Sequence, residues 1–121
     1  MSLLHIVIGG VENGDKEQID KADRKRIVPW IVPKEATPGD TVLIYLHGFG
    51  LYASAIVSSL PEKEKTKNTR YRAELKRVKR IAPAVPLEVI KAHVAHLDWA
   101  KYPRNYTTCR DEIADAVEGL A

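Results

Sequence analysis

The segment TVLIYLHGFGLYASAIVSS, residues 41–59, carries the strongest structural pattern of this chain. Its first six residues are nearly all apolar and include β-branched and aromatic side chains, which is typical of a buried strand. Gly48-Phe49-Gly50 follows as a tight connection, and residues 51–59 form a second apolar run with several small side chains. Two such runs joined by a glycine-containing turn predict a β-hairpin in the centre of a sheet.

Two other segments predict strands that can join this hairpin. Residues 3–8 are apolar and rich in β-branched side chains, and the run stops at two glycines, which indicates a buried strand. Residues 71–81 alternate at first between apolar and polar positions, and the alternation is then shifted by one residue. This pattern predicts a strand with a bulge, and a helix is the alternative. In the strand interpretation Arg72 and Lys76 share one face, and Leu75 lies on the other.

Capping and charge patterns predict three helices. Residues 15–26 begin with an aspartate, and their acidic residues come early and their basic residues late, as the helix dipole favours. Residues 86–93 begin with a proline, which suits the first position of a helix. The last helix begins at Thr108 or Asp111, because a threonine followed by acidic residues is a capping arrangement.

The segments between these elements are predicted as turns and loops. Residues 61–69 are polar and rich in lysine, which is typical of an exposed loop. Residues 30–32 are a short apolar segment between two prolines, and Pro83 and Pro86 bracket a turn. The resulting order β-α-β-β-β-α-α does not suit a doubly wound parallel sheet. It favours an α+β fold with a curved, mostly antiparallel β-barrel and short peripheral helices.

Length and composition are those of an ordinary globular protein. The 121 residues predict a single domain over residues 1–121. Hydrophobic residues make up 45% and charged residues 29% of the chain, and the net charge of +3 suits a polyanionic partner. A single cysteine, Cys109, excludes an internal disulfide and fits a reducing compartment. Without a leader or a long apolar run, the sequence predicts a cytoplasmic protein with no membrane segment.

Residues 97–108, LDWAKYPRNYTT, combine three large aromatic side chains with two cations and show no hydrophobic period. Aromatic faces stack on nucleobases, and arginine and lysine neutralise phosphate. This composition points to a nucleotide or a nucleic acid as the ligand.

Six short motifs lie along almost the whole chain: IVIGG (6–10), VPWIV (28–32), PGDTVLIY (38–45), YASA (52–55), VPL (85–87) and YPRNYTT (102–108). In this order they resemble the EVE domains of the PUA-like superfamily, relatives of the YTH and ASCH domains. They look most like the EVE-like modules that accompany His-Asn-His nucleases in modification-dependent restriction systems. The resemblance implies a small barrel that holds one nucleobase, often a modified one, in an aromatic-lined pocket. The nuclease motif is not visible in these 121 residues, so a nuclease would belong to another domain or to a partner.

The resemblance and the aromatic residues together predict a base pocket. The predicted pocket residues are Ile8, Gly9, Gly10, Trp30, Tyr45, Trp99, Tyr106 and Thr107. Backbone groups beside a glycine can approach a ligand closely, and an indole offers a large flat wall for a flipped base. The alternative for Trp30 is a core tryptophan between two prolines, and for Trp99 and Tyr106 it is packing of the last helix.

Basic residues close to these segments predict contacts with the nucleic-acid backbone. They are Lys101, Arg104, Arg70, Arg72 and Lys76. Phosphate contacts position a protein on its nucleic acid, whereas base contacts select the sequence. The alternative is a solvated charged face, which is the usual role of a charge run.

Catalytic and metal-binding patterns are weak. Ser54, Ser58 and Ser59 lack a nucleophile elbow, and Cys109 beside a cation has no recognisable base partner. His93 and His96 with one nearby carboxylate are a weak basis for a metal site. We therefore predict a binding module without catalytic activity, cofactor or metal, whose partner is DNA or RNA carrying a modified base.

The sequence is also compatible with three other functions. An RNA-binding module would read unmodified single strands, with similar affinity for modified and plain ligands. A small nucleotide-acting hydrolase would need a base and a nucleophile near the pocket. An interaction domain would bury all its aromatic side chains.

Overall fold

A computed structural model describes residues 3–9, 14–22, 27–63, 71–94, 97–101, 106–109 and 111–120. The elements in these ranges are β1 (Leu4–Gly9), α1 (Asp15–Ala22), β2 (Ile27–Val32), β3 (Thr41–Leu46), β4 (Gly50–Val57), β5 (Glu62–Lys63), β6 (Tyr71–Val85), α2 (Leu87–His93), a 3-10 helix (Asp98–Lys101), β7 (Tyr106–Cys109) and α3 (Asp111–Leu120). The three α-helices have 8, 7 and 10 residues. No helix in the described ranges is long and apolar enough to cross a membrane.

The strands form one mixed sheet with the order β2-β6-β4-β3-β1-β7, and β5 adds to β6. β1 runs parallel to β3, because α1 and β2 lie between these two strands in the chain and allow a crossover. The other pairings of the described strands are antiparallel. The predicted mostly antiparallel sheet is confirmed, and so is the predicted hairpin, which β3 and β4 form.

The sheet curls into a half-barrel. β2 and β1 are separated by three strands in the strand order, yet the indole Nε1 of Trp30 in β2 donates a hydrogen bond of 3.3 Å to the carbonyl of Ile8 in β1. A flat sheet would hold these strands far apart, because neighbouring strands are about 4.8 Å apart. The curled sheet with three short helices is an α+β architecture and matches the PUA-like fold that the resemblance implied.

Alternation along the strands places two hydrophobic clusters on opposite faces of the sheet. The inner face, inside the curl, includes Val7 and Ile44, and Ile19 of α1 packs against it. The outer face includes Ile6 and Leu43. The outer cluster is completed by residues of α2, the 3-10 helix and α3: Ile90, Trp99 and Val117. α1 therefore covers one face of the sheet, and the C-terminal helices cover the other.

The bulge predicted in the 71–81 segment is confirmed. Ile56 pairs with Lys76 and Ser54 with Lys79, so two steps along β4 oppose three steps along β6. The extra residue is accommodated at Arg77, which has a φ of 53°. A residue in the left-handed region is one way in which a strand absorbs an insertion of this kind.

The prediction of a turn at Pro83 is wrong, because β6 continues through this residue to Val85. Leu51 pairs with Val85 and Ala53 with Arg80, so two steps on β4 oppose five on β6. Pro83 lies inside this irregular stretch. A proline is tolerated there because its missing N–H removes no regular ladder hydrogen bond.

Three short strands were not predicted. β2 contains Pro29 within a register shift between Ile27 and Trp30, which is where a strand accepts a proline. β5 occupies part of the predicted loop, and residues 64–70 lie outside the described ranges. β7 contains Thr108, so the last helix begins at Asp111 rather than at this threonine.

Candidate nucleic-acid interface

The carboxyl ends of β1 and β3 lie side by side and form a rim of the half-barrel. Gly9 pairs with Leu46 at these ends, and the backbone N–H of His47 points to the Gly9 carbonyl at 3.5 Å. The carboxyl ends of parallel strands are a frequent ligand-binding position in α/β sheets. We call this place the rim.

Gly9 has no room for a side chain. A Cβ atom on it would lie 2.9 Å from both Cζ2 of Trp30 and Cδ2 of Leu46, and 3.1 Å from Oδ2 of Asp15. The end of β1, the start of α1 and the indole of β2 therefore meet at one point. A glycine at this position allows that close approach.

Trp30 belongs to the inner hydrophobic cluster and is only 4% exposed. Its indole N–H is fixed by the carbonyl of Ile8. Burial of a tryptophan is stabilising when its N–H has a partner. The side chain thus stabilises the inner face next to the rim.

A group of aromatic and charged side chains surrounds the rim, and we call it the rim cluster: Lys16, Asp20, Phe49, Tyr52 and Arg80. Lys16 Nζ lies 5.9 Å from the Phe49 ring centroid and 5.7 Å from that of Tyr52. Cζ of Arg80 lies 4.9 Å from the Tyr52 centroid. The cations are thus held over aromatic rings, an arrangement that is favourable electrostatically.

Asp20 connects the charged members of the rim cluster. It accepts hydrogen bonds from Tyr52 Oη at 2.7 Å and from Lys16 Nζ at 2.9 Å, and Arg80 Nε lies 3.4 Å away. The hydrogen bond from Lys16, followed by that from Tyr52, lowers the pKa of the Asp20 carboxyl. The same bond to Asp20 raises the pKa of Lys16, and burial, followed by donation to Asp20, raises the pKa of Tyr52.

A second aromatic group lies on the outer face. The ring of Tyr45 makes edge contacts with Trp99 at a centroid distance of 5.3 Å and with His47 at 5.6 Å. Tyr45 and Trp99 are buried. Burial, followed by the charge of Glu88, raises the pKa of Tyr45. This group packs the 3-10 helix onto the sheet.

The predicted pocket residues are thus divided between the two faces. Gly9 and Trp30 meet inside the curl at the rim, whereas Tyr45 and Trp99 lie in the outer cluster. Ile8 also packs against the outer cluster. The sheet separates the two tryptophans, so one pocket cannot be lined by both indoles in this arrangement.

The remaining predicted pocket residues belong to the edge of the sheet. Tyr106 lies opposite Val7 and is 38% exposed, and Thr107 lies opposite Ile6. Because directly paired residues share a face, Tyr106 belongs to the inner face and Thr107 to the outer face. Gly10 lies outside the described residues.

The predicted backbone contacts come from separate elements. Lys101 is exposed on the 3-10 helix and lies 3.6 Å from Asp98. Arg72 in β6 donates from Nη1 to the carbonyl of Pro29 at 3.3 Å, and Lys76 in the same strand is exposed. Two further predicted contacts, Arg70 and Arg104, lie outside the described residues.

An open groove of about 510 Å³ lies between β2, β6 and the β4–β5 connection. Arg72 lines it together with Lys63, Glu62 and Glu74, and Leu60 forms part of its apolar wall. The two cations and two carboxylates give this groove a mixed charge. The sequence did not predict the groove, because its walls come from three segments that only the sheet brings together.

A buried polar chain that was not predicted from the sequence connects β1 with β7 and with Asp40, the residue that precedes β3. His5 Nε2 lies 2.8 Å from Oδ2 of Asp40, and His5 Nδ1 lies 2.9 Å from Oγ1 of Thr108. His5 and Asp40 are 0% and 1% exposed. The available signal was a histidine inside an otherwise apolar strand, since such a residue needs partners when it is buried.

This hydroxyl–imidazole–carboxylate chain is structural. In a hydrolase triad the carboxylate holds Nδ1 and the hydroxyl faces Nε2, whereas here the two ring nitrogens have the opposite partners. Asp40 also accepts the backbone N–H groups of Leu3 and Thr37 at 3.0 Å each. Burial opposes ionisation of Asp40, but the hydrogen bonds from His5 and these backbone groups outweigh it and lower the carboxyl pKa.

The single thiol is also structural. Cys109 pairs with Leu4 and packs in the outer cluster. Burial raises the pKa of its thiol to about 11, and the neighbouring cation, Arg110, lies outside the described residues. His93 Nδ1 lies 3.0 Å from the carbonyl of Val89, and His96 lies outside the described residues.

No protein-family model matches the sequence, and no curated protein sequence matches it. Several solved structures share the fold. A hypothetical protein from Leishmania major has a TM-score of 0.75 at 15% identity, with 98% of this chain and 92% of that chain covered. Human THYN1, solved in complex with 5-methylcytosine containing DNA, has a TM-score of 0.72 at 11% identity, with 98% and 97% covered. A mutant ZmASCH protein from Zymomonas mobilis has a TM-score of 0.65 at 11% identity, with 97% of each chain covered.

These likenesses confirm the predicted architecture. THYN1 contains an EVE domain, and ZmASCH represents the ASCH domains. The chain thus has the PUA-like fold of the EVE and ASCH domains. At sequence identities of 10 to 15%, these similarities show that the fold is shared, and a shared fold does not by itself imply a shared function.

Proposed function

We propose that this protein is a nucleic-acid-binding module that seats a single modified base at the rim and performs no catalysis itself. The observation that carries the proposal is the meeting of Gly9 and Trp30 at the ends of β1 and β3, beside the aromatic and cationic rim cluster. A binder of a flipped base needs a shaped apolar pocket and cations for the flanking phosphates. The structure of THYN1 with 5-methylcytosine containing DNA supports the same use of the fold.

In this proposal Gly9, Gly10, Trp30 and Tyr106 face the base, with the buried indole as the floor. Ile8 acts as a positioning residue, because its carbonyl fixes the indole. In this proposal Tyr45, Trp99 and Thr107 lie on the outer face of the sheet and stabilise the strands that carry the rim. This is a narrower pocket than the one predicted from sequence, since it uses the inner face alone.

The proposed backbone contacts are Lys101, Arg104, Arg70, Arg72 and Lys76. They would hold phosphates further along the nucleic acid and contribute affinity that falls with salt. A cytoplasmic location, a nuclease domain or partner, and a place in a modification-dependent restriction system belong to this proposal as well. The module would supply recognition, and the nuclease would supply cleavage.

A binding panel tests the proposal. Short DNA and RNA oligonucleotides would be compared in plain form and with methyl-, hydroxymethyl- or glucosylated cytosine or methyladenine, each at two salt concentrations. We expect tighter binding to one modified base that persists at the higher salt, because contacts to the base release no counterions. Weak binding that vanishes with salt and ignores the base would reduce the module to a basic surface.

A further inference from the structure

Phe49 is exposed without an evident structural reason. It lies at the tip of the β3–β4 hairpin and is 41% exposed. Among the described residues, Leu60 and Tyr106 are the other large hydrophobic side chains that are exposed. Single exposed apolar residues are common on protein surfaces. Phe49 differs from them in the rigid turn that holds it and in its position beside the rim.

The hairpin tip holds Phe49 in a defined place. The backbone N–H of Phe49 donates to the Leu46 carbonyl at 3.0 Å, which closes a tight turn. Gly48 and Gly50 have φ values of +88° and +105°, a region that glycine enters readily. A Cβ on Gly50 would collide with the Val85 carbonyl oxygen. The backbone of the tip is therefore in close contact with the end of β6.

The position of Phe49 is beside the rim. Its ring makes an edge contact with Tyr52 at a centroid distance of 5.7 Å, and Lys16 Nζ lies 5.9 Å from its centroid. Lys16 follows Asp15, whose Oδ2 would lie 3.1 Å from a Cβ on Gly9. A supported aromatic ring with a cation beside it thus lies next to the place proposed for the base.

We propose that Phe49 is a wedge that enters a nucleic-acid duplex and stacks in the gap that the seated base leaves. This inference rests on the proposed function. Removing a base from a duplex costs its stacking, and proteins that distort duplexes insert apolar side chains between base steps. A ring on a supported tip can fill the gap with little loss of side-chain freedom. The cations of the rim cluster, Lys16 and Arg80, would face the phosphates on either side.

The test compares double-stranded and single-stranded probes. The probes are a DNA duplex with one 5-methylcytosine, or with the modified base that the panel selects, and the modified strand alone. We expect Phe49→Ala to weaken duplex binding about 5- to 150-fold, the range that corresponds to one aromatic stacking contact. Binding of the single strand should change less than about threefold, because a single strand leaves no gap to fill.

Two further variants control for indirect effects. Phe49→Leu keeps an apolar side chain that can enter the duplex but removes the aromatic face, so its duplex affinity should lie between those of Phe49→Ala and the unmodified protein. Leu60→Ala removes an exposed apolar side chain of the β4–β5 connection, outside the rim cluster, and should bind both probes like the unmodified protein. Thermal unfolding of each variant checks that the hairpin is retained.

The possible results distinguish failure of the proposed wedge at Phe49 from failure of the proposed base-binding function. If Phe49→Ala binds the duplex as tightly as the unmodified protein, the wedge is refuted, and the base preference of the unmodified protein leaves the proposed function intact. Equal losses on both probes would also refute the wedge, because they describe a general stacking contact. If the unmodified protein prefers no modified base, the proposed function fails first and the wedge fails with it.

Discussion

The indole N–H of Trp30 donates to the backbone carbonyl of Ile8 across 3.3 Å and joins strands that are separated by three others in the sheet order. This contact closes the curl of the half-barrel next to Gly9. The same indole therefore supports the fold and provides the floor of the proposed pocket. Changes at this point are expected to affect stability and binding together, and each experiment has to distinguish the two.

Gly9→Ala should destabilise the fold and weaken binding of the modified base. The added methyl group would meet the rigid indole of Trp30 and the side chain of Leu46 at 2.9 Å, and overpacking of this kind costs about 1–3 kcal/mol. Urea unfolding measures the loss. Gly119→Ala is the matched control, because nothing lies within 4 Å of its new Cβ and alanine favours a helix by about 0.5–1 kcal/mol. Equal stability of the Gly9 variant and the unmodified protein would contradict the close contact at the rim.

Asp40→Asn should destabilise the protein at neutral pH by about 1.5–3 kcal/mol, the range for a hydrogen bond to a charged group. The variant weakens the buried connection of Asp40 to His5 and to the backbone. Urea unfolding at pH 7 measures the difference. Asp98→Asn is the control, because this exposed carboxylate makes a surface ion pair with Lys101, and the loss of such a pair should cost about 0–1 kcal/mol.

The stability difference between Asp40→Asn and the unmodified protein should depend on pH in one direction. The folded pKa of Asp40 lies below the ordinary value of 3.8. Its contribution to stability is thus fully present above that value and disappears as the pH falls through the folded pKa. We expect the stability difference between the two proteins to shrink below about pH 4. A difference that stays constant down to full protonation would contradict the ionised role of Asp40.

Cys109 should be protected from thiol reagents in the native protein. Burial keeps the thiol away from the reagent and raises its pKa to about 11, and the thiolate is the reactive form. Labelling at about pH 8 should be much slower in the folded protein than in urea. Native labelling at the rate of a free cysteine would show that the strand β7 opens or that the thiol is exposed.

The central hairpin and β1 were predictable because their apolar, β-branched runs are local signals. β2 was not, because Pro29 argues against a strand until a register shift is known to accommodate it. β7 was not, because Thr108 has the sequence pattern of a helix cap. Its hydroxyl instead meets His5, a residue more than a hundred positions away. A histidine in an apolar strand indicates that partners are needed, but nothing local in the sequence indicates which distant residues they are.

The arrangement of the candidate site could not be predicted from the sequence. The sequence singled out both tryptophans, but their assignment to faces depends on the pairing of distant strands. Neighbouring residues such as Ile44 and Tyr45 belong to opposite clusters, so a shift of one position would reverse every face. For the same reason the pairing of His5 with Asp40 could not be read from either residue.

The most direct test of the account is the ratio of affinities for a modified and a plain oligonucleotide, measured for Trp30→Phe and Trp99→Phe. A ratio is informative because partial unfolding weakens both affinities alike. We expect Trp30→Phe to lower the ratio, because the smaller ring leaves the floor of the pocket incomplete and has no N–H to donate to the Ile8 carbonyl, and we expect Trp99→Phe to leave the ratio unchanged. An unchanged ratio in Trp30→Phe, or an equal loss in Trp99→Phe, would contradict a base pocket on the inner face.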